Sequence, residues 1–230
     1  MPFYLGFDEY FLMFIIPAMI FSLAMQIMVK SAYKRQSRVR NARGITGAMA
    51  AQMVLAYYGV HDVQIQMTRG RLSDHYDPRS KTIRLSEGVC NTASVAAVGI
   101  AAHEAGHAAQ HALAYAPIKV RNAILPVCNI GSMMAVPLMI LGYMLEFWGL
   151  ITLGLGLYAL IAVFQLVTLP VEFNASRRAM EAIDRQGLLE GGDRAGAKKV
   201  LNAAAMTYVA ALVVSLANLL RFMLRFNRRR

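Results

Sequence analysis

The sequence predicts a mainly α, polytopic membrane protein with about four transmembrane helices and a small α+β part at the membrane surface. Three observations predict it. Of the 230 residues, 57% are hydrophobic and 16% charged, whereas a soluble domain carries about 25% charged. The apolar residues gather in four uncharged blocks, each long enough to cross a hydrocarbon core of about 30 Å. The stretches between them include short apolar–polar alternations with the period of strands. A soluble globular domain is thereby excluded, and so is a disordered chain, which would be poor in apolar residues.

The first block, Tyr10–Val29, follows Asp8 and Glu9 rather than Lys or Arg and exceeds the apolar core of a secretory leader. It reads as a span and not a cleaved signal, and its Pro17 is tolerated in a membrane helix. Gly44–Tyr58 reads as an amphipathic helix ended by Gly59. Val63–Met67 and Lys81–Leu85 alternate as strands, with a turn at Asp77-Pro-Arg-Ser between them. From Asn91 to about Ala114 the chain is alanine-rich and helical in propensity. Ala123–Leu145 and Trp148–Leu169 are separated only by Glu146 and Phe147, which predicts an antiparallel helical hairpin. Gly149, Gly154 and Gly156 either allow close helix contact or reflect ordinary membrane-helix composition. Val200–Leu220 is the most polar block, with Asn202, Thr207, Ser215 and Asn218; it crosses fully or inserts in part. The whole chain, 1–230, is expected to be one integral-membrane domain whose polar part comprises about 44–121 and 171–199.

The net charge of +11 comes from 24 Lys+Arg against 13 Asp+Glu. On so apolar a chain this marks cytoplasmic flanks of spans rather than a nucleic-acid partner. All the basic residues but five, Arg71 among them, fall in the two stretches 30–121 and 171–199; Arg221, Arg225 and Arg228–Arg230 are the exceptions. These stretches share one membrane face if the hairpin returns the chain, and the charge bias makes that face cytoplasmic. Cys90 and Cys128 are too few for a disulfide framework, and no CxxC pair exists.

Within the alanine-rich helix lies His103-Glu104-Ala105-Gly106-His107. Two histidines one turn apart can offer their nitrogens to one metal centre. Glu104, on the same side, can take a proton from a water that zinc acidifies. Burying two His and a Glu in an otherwise uncharged helix without a shared purpose would be costly. Zinc needs a third protein ligand. His111 lies two turns from His103, too far on an unbroken helix, and is expected to be supporting or interfacial. Glu146 sits at the far tip of the hairpin. Glu172 follows Pro170 where the third block ends, so the hairpin returns it towards the motif; the alternative is an N-terminal helix Glu stabilised by the dipole. Ser176 lies one turn beyond Glu172 on the same face. Arg177 and Arg178 either bind a substrate carboxylate or oxyanion or are membrane-surface arginines. His75 and Tyr115 are candidates for stabilising a tetrahedral intermediate. Asp74, His75 and Asp77 either hold a second ion or serve the turn.

Leu72-Ser-Asp-His-Tyr-Asp-Pro, His103-Glu-Ala-Gly-His-Ala-Ala-Gln-His and Leu169-Pro-Val-Glu-Phe-Asn-Ala-Ser-Arg-Arg-Ala, in that order, resemble the YugP-like family of bacterial membrane zinc metallopeptidases. Gly196-Ala-Lys-Lys-Val-Leu and Ala203-Ala-Ala-Met-Thr-Tyr-Val-Ala-Ala extend the likeness over nearly the whole chain. More distantly the chain is similar to the HtpX type of gluzincin. The resemblance implies a zincin-like catalytic part, zinc held by His103, His107 and Glu172, and Glu104 as general base and acid. It also implies that Lys81–Leu85 is the edge strand that pairs with an extended substrate. Ser176 stands where those enzymes have Asp, and Ser cannot supply a charge to a histidine as Asp does.

The function expected is a zinc-dependent endopeptidase of the bacterial plasma membrane, acting on membrane-associated or misfolded proteins, with peptide and lipid bilayer as partners and no nucleic acid. The alternative is a non-catalytic membrane adaptor with a structural zinc; it would have no use for a base at Glu104. A transporter would need charged residues within the spans, which the four blocks lack.

Overall fold

The structure, a computed structural model, describes residues 8–70 and 72–227; Arg71 and Arg228–Arg230 of the charge pattern lie outside the described residues. A π-helical turn, Phe11–Ile15, leads into α1 (Ile16–Gln36). Then follow α2 (Gly47–Tyr57), β1 (Gln64–Thr68), β2 (His75–Asp77), β3 (Thr82–Ser86), α3 (Glu87–Cys90), α4 (Val95–Ala112), α5 (Ala116–Met144), α6 (Trp148–Arg185) and α7 (Gly191–Asn227). The chain is mainly α with a small α+β part, as its composition predicts. Four helical stretches are long and apolar enough to cross a membrane: Phe11–Gln36, Ala116–Met144, Trp148–Arg185 and Gly191–Phe226. The described chain divides into two units, residues 8–26, 120–169 and 207–227, and residues 27–119 and 170–206.

In the first unit α5 and α6 approach backbone to backbone. A Cβ on Gly154 would lie 2.7 Å from the Ala135 carbonyl oxygen, and one on Gly142 would lie 2.8 Å from the Ile151 nitrogen. Of the three glycines singled out in the sequence, only Gly154 serves this contact: Gly149 meets its neighbour Phe147, and Gly156 meets nothing. The reversal places Glu146 at φ +52°. At the chain's two ends, the Asp8 carboxylate accepts from the Phe11 amide at 2.7 Å, from Arg221 Nε at 3.1 Å and from Arg225 at 2.8 Å. Arg221 also lies over the Phe11 ring, 5.0 Å from its centroid.

In the second unit the Thr46 hydroxyl caps α2 by accepting from the Met49 amide, and Gly59 at φ +68° ends it. The sheet has the order β1-β3-β2. β1 runs parallel to β3, with Gln64 opposite Thr82 and Thr68 opposite Ser86. β2 runs antiparallel, with Tyr76 opposite Ile83. One expectation and one alternative are overturned by this architecture. The strand at Lys81–Leu85 is β3, the central strand, so it has no free edge for a substrate; the edges are β1 and β2. β2 went unread because three residues beside a turn are too few for an alternation to register. Also, α6 continues through Pro170, so Glu172 lies deep within a helix and not at a helix N-terminus. A proline removes one backbone hydrogen bond, a loss that helices tolerate when neighbours re-satisfy the freed carbonyl.

α4 lies at the centre of this unit's core. Its Val95, Val98, Ala101, Ala102 and Ala105 are buried in one cluster with Val54 of α2, Ile83 and Leu85 of β3, and Ala179 and Ile183 of α6.

Candidate metal centre

The Ser94 hydroxyl starts α4 by accepting from the Ala97 amide at 3.1 Å. From residue 95 to 110, only Ile100, His103, Glu104 and His107 are not buried. Their spacing of three and four puts them on one helix face, so the open stripe of α4 is the stripe that bears the motif.

The opposite requirement, bringing α6 close, falls to Gly106. A Cβ there would lie 2.6 Å from the Ala175 carbonyl oxygen, a contact that real side chains do not make. Ala175, Ala179 and Ala182 on α6 are fully buried. Small residues on both helices thus let the backbones touch, and this places Glu172 and Ser176 against the two histidines.

His103, His107 and Glu172 each offer one ligand atom, and these atoms lie within 4.8 Å of one another. Glu172 Oε2 is 3.4 Å from His103 Nε2 and 3.5 Å from His107 Nε2. It is buried and makes no properly formed hydrogen bond, which is costly for a carboxylate unless a cation faces it. Donors at about 2.0–2.1 Å from a tetrahedral zinc stand about 3.3–3.4 Å apart. The two distances to Glu172, the nitrogen and oxygen donor set and the orphaned oxygen fit that ion.

The other ring nitrogens are held. His107 Nδ1 lies 3.0 Å from Gln110 Oε1, while Gln110 Nε2 donates to the Val171 carbonyl at 2.7 Å and to Asn174 Oδ1 at 3.0 Å. A backbone carbonyl only accepts, so the Gln110 amide nitrogen must face it and Oε1 must face the histidine. His107 Nδ1 is therefore the protonated nitrogen, and Nε2 keeps its lone pair for a metal. Ser176 Oγ lies 3.1 Å from His103 Nδ1 and can accept from it in the same sense. Burial alone would lower the His107 pKa, but the facing Glu172 carboxylate, helped by Glu104 and Gln110, raises it above the ordinary value.

Gln110 was missed in the sequence. The signal was present: it is a fully buried amide in a run of alanines, three residues past His107. Gln110→Ala is expected to weaken zinc binding by about 10–100-fold, the usual cost of losing the group that orients a ligand. Chelator competition measures it.

The remaining candidates are placed elsewhere. The His111 ring packs near Tyr76, at 6.1 Å between centroids, and takes no part in the cluster. His75 Nδ1 lies 2.8 Å from the Ser73 carbonyl oxygen. Asp74 accepts from the Ser86 amide and hydroxyl. Asp77 accepts from Ser80, the Arg79 amide and Arg84, contacts that hold its pKa well below the ordinary value. Asp77 serves the β2–β3 turn, and Asp74 ties the start of β2 to the end of β3. Arg178 lies over the Tyr58 ring and donates to Asn174. Arg177 is exposed and lines a cavity with Ser176.

Four helices long and apolar enough to cross a membrane accompany a histidine–carboxylate cluster that could hold a metal ion, and comparison with known proteins supplies the family. Residues 11–227 match the family described as "Putative neutral zinc metallopeptidase", and the chain belongs to that family. It is 44% identical over 216 residues to a Bacillus subtilis (strain 168) protein named "Putative membrane protease YugP", covering 94% of this chain and 96% of that one. No solved structure matches.

Proposed function

We propose that this chain is an integral-membrane zinc endopeptidase that hydrolyses peptide bonds of membrane-associated or misfolded proteins, with its gluzincin-like site facing the cytoplasm. The observation that carries the reading is the convergence of His103 Nε2, His107 Nε2 and Glu172 Oε2 beside an uncommitted Glu104. Bound by those three atoms, zinc would supply a Lewis acid that acidifies water and polarises a carbonyl. Glu104 shares the open stripe of α4 and has no ion pair or hydrogen bond among the described residues. Its carboxylate takes the proton of the attacking water and returns it to the leaving amine nitrogen. Gln110 and Ser176 hold the two imidazoles by their Nδ1 atoms, so neither ring needs to reorient during turnover. With β3 paired on both sides, an extended substrate would pair with the free edge of β2, which Tyr76 places beside His111 of α4. The catalytic part is then the polar region, about 44–121 with 171–199, of a single membrane enzyme.

The test is cleavage of a fluorogenic peptide or a membrane-protein substrate by the purified chain in detergent. Activity should vanish with a chelator and return with about one zinc per chain; zinc-independent or absent cleavage across substrates would favour the adaptor.

The orientation rests on the basic residues of the loops after the first and third blocks. Arg221, Arg225 and Arg228–Arg230 run against that bias, five basic residues against nineteen. Single cysteines at the exposed positions Arg79 and Glu190, in a chain without Cys90 and Cys128, are expected to resist a membrane-impermeant thiol reagent in intact cells. Labelling of both from outside would reverse the topology.

A further inference from the structure

Two cavities flank the start of α7 within the second unit, and neither is lined by His103, Glu104, His107 or Glu172. The first, about 540 Å³, has Arg177, Arg185 and Lys198 on its walls together with Phe173, Met180 and Leu201. The second, about 520 Å³, has Arg35 and Lys199 above Met28, Ala32, Ala203 and Met206. Asn202 borders both.

The cations in these cavities outnumber the acids. In the first, Asp184 is held by Arg194 in a two-point ion pair, and Glu181, the other acid on its wall, accepts from the Tyr57 hydroxyl. Arg177, Arg185 and Lys198 make no direct ion pair among the described residues, and the lining keeps a net positive charge. No acidic residue lines the second cavity at all. All five cations are exposed, so each can turn towards a ligand.

The apolar walls narrow the class of anion. A nucleic-acid phosphate or a free metabolite has no use for Phe173, Leu201 or Met206 beside its charge. A phospholipid has an anionic head and an acyl chain joined in that order. The position along the chain agrees: Phe173 lies four residues past the third apolar block, Leu201 is the second residue of the fourth, and Met28 is the last but one of the first. Basic pockets between the ends of membrane helices bind anionic lipid heads in this way, and long Lys and Arg side chains lie along apolar surface with their charge at the head group.

We propose that the start of α7 is a binding site for the phosphate head of an anionic membrane lipid, with Arg177, Arg185 and Lys198 on one side, Arg35 and Lys199 on the other, and the acyl chain on the apolar walls. Ser176, whose hydroxyl meets His103 Nδ1, borders the first cavity, but the proposal uses none of the cluster's three ligand atoms and does not depend on the peptidase reading.

The experiment uses the full-length chain in phosphatidylcholine vesicles containing trace spin-labelled phosphatidylglycerol or spin-labelled phosphatidylcholine. The wild type is expected to restrain the anionic label more strongly than the neutral one. Arg185→Gln with Lys198→Gln should reduce that preference by about 5-fold or more, whereas Arg185→Lys with Lys198→Arg should keep most of it. Arg38→Gln with Arg79→Gln removes two exposed cations outside both cavities and should change little. Equal restraint of both labels, an unaltered preference in the double Gln variant, or an equal loss in the Arg38 and Arg79 control would overturn the proposal. Inorganic phosphate added to the vesicles separates the sources: release of the lipid label by phosphate at a few millimolar, beyond what equal ionic strength of chloride does, would assign the site to free phosphate instead.

Discussion

Glu104→Gln is expected to keep the fold and about one zinc per chain while lowering peptide hydrolysis by roughly 10²–10⁴-fold, about 3–5 kcal/mol of barrier. Holding a metal and using it fall to different residues. The atoms that could hold a metal are Nε2 of His103, Nε2 of His107 and Oε2 of Glu172, and Glu104 is not among them. Its side chain is partly exposed, so replacing the carboxylate by an amide of the same shape leaves no buried group unpaired. What disappears is the proton acceptor. Zinc by elemental analysis and cleavage of a fluorogenic peptide, measured on the same preparation, decide it. Cleavage at the wild-type rate would remove Glu104 from the chemistry. Loss of zinc along with activity would make it a support for the metal and not the base.

What could be read in the sequence was local. The apolar blocks announce spanning helices because length and lack of charge are properties of a single segment. His103, Glu104 and His107 were legible because helical spacing alone brings them to one face. Glu172 was legible through connectivity: a hairpin with a two-residue turn must return the chain. The unread features depend on strands or helices meeting. β3 became the central strand only because β1 and the short β2 pair on its two sides, and nothing within Lys81–Leu85 encodes strand order. Gly106 looks like one small residue among many until Ala175 is found against it. The departure at Ser176, which left the partner of His103 open, is resolved by position: the hydroxyl reaches Nδ1, and a neutral acceptor suffices to fix a ring nitrogen even though it adds no charge.

Glu172→Ala is expected to lose most of the bound zinc, with affinity falling 100-fold or more, since even supporting groups of metal ligands commonly cost 10–100-fold. Stability gives a readout that needs no activity. A metal that binds only the folded chain stabilises it by RT ln(1 + [L]/Kd), so a 100-fold weaker site forfeits about 2.7 kcal/mol when zinc is in excess. The metal-free variant should behave otherwise. Glu172 is 2% exposed and its Oε2 is without a formed hydrogen bond, so removing it deletes an ill-compensated buried charge. Against this stands the small cavity left by a truncated side chain, and the two effects oppose. Thermal unfolding in detergent should therefore show zinc raising the wild-type midpoint strongly and the variant's hardly at all, with the two metal-free midpoints close together. A collapse of the metal-free Glu172→Ala chain would mean that the residue serves the fold. Full zinc retention by Glu172→Ala, with loss in His111→Ala, would move the third ligand elsewhere.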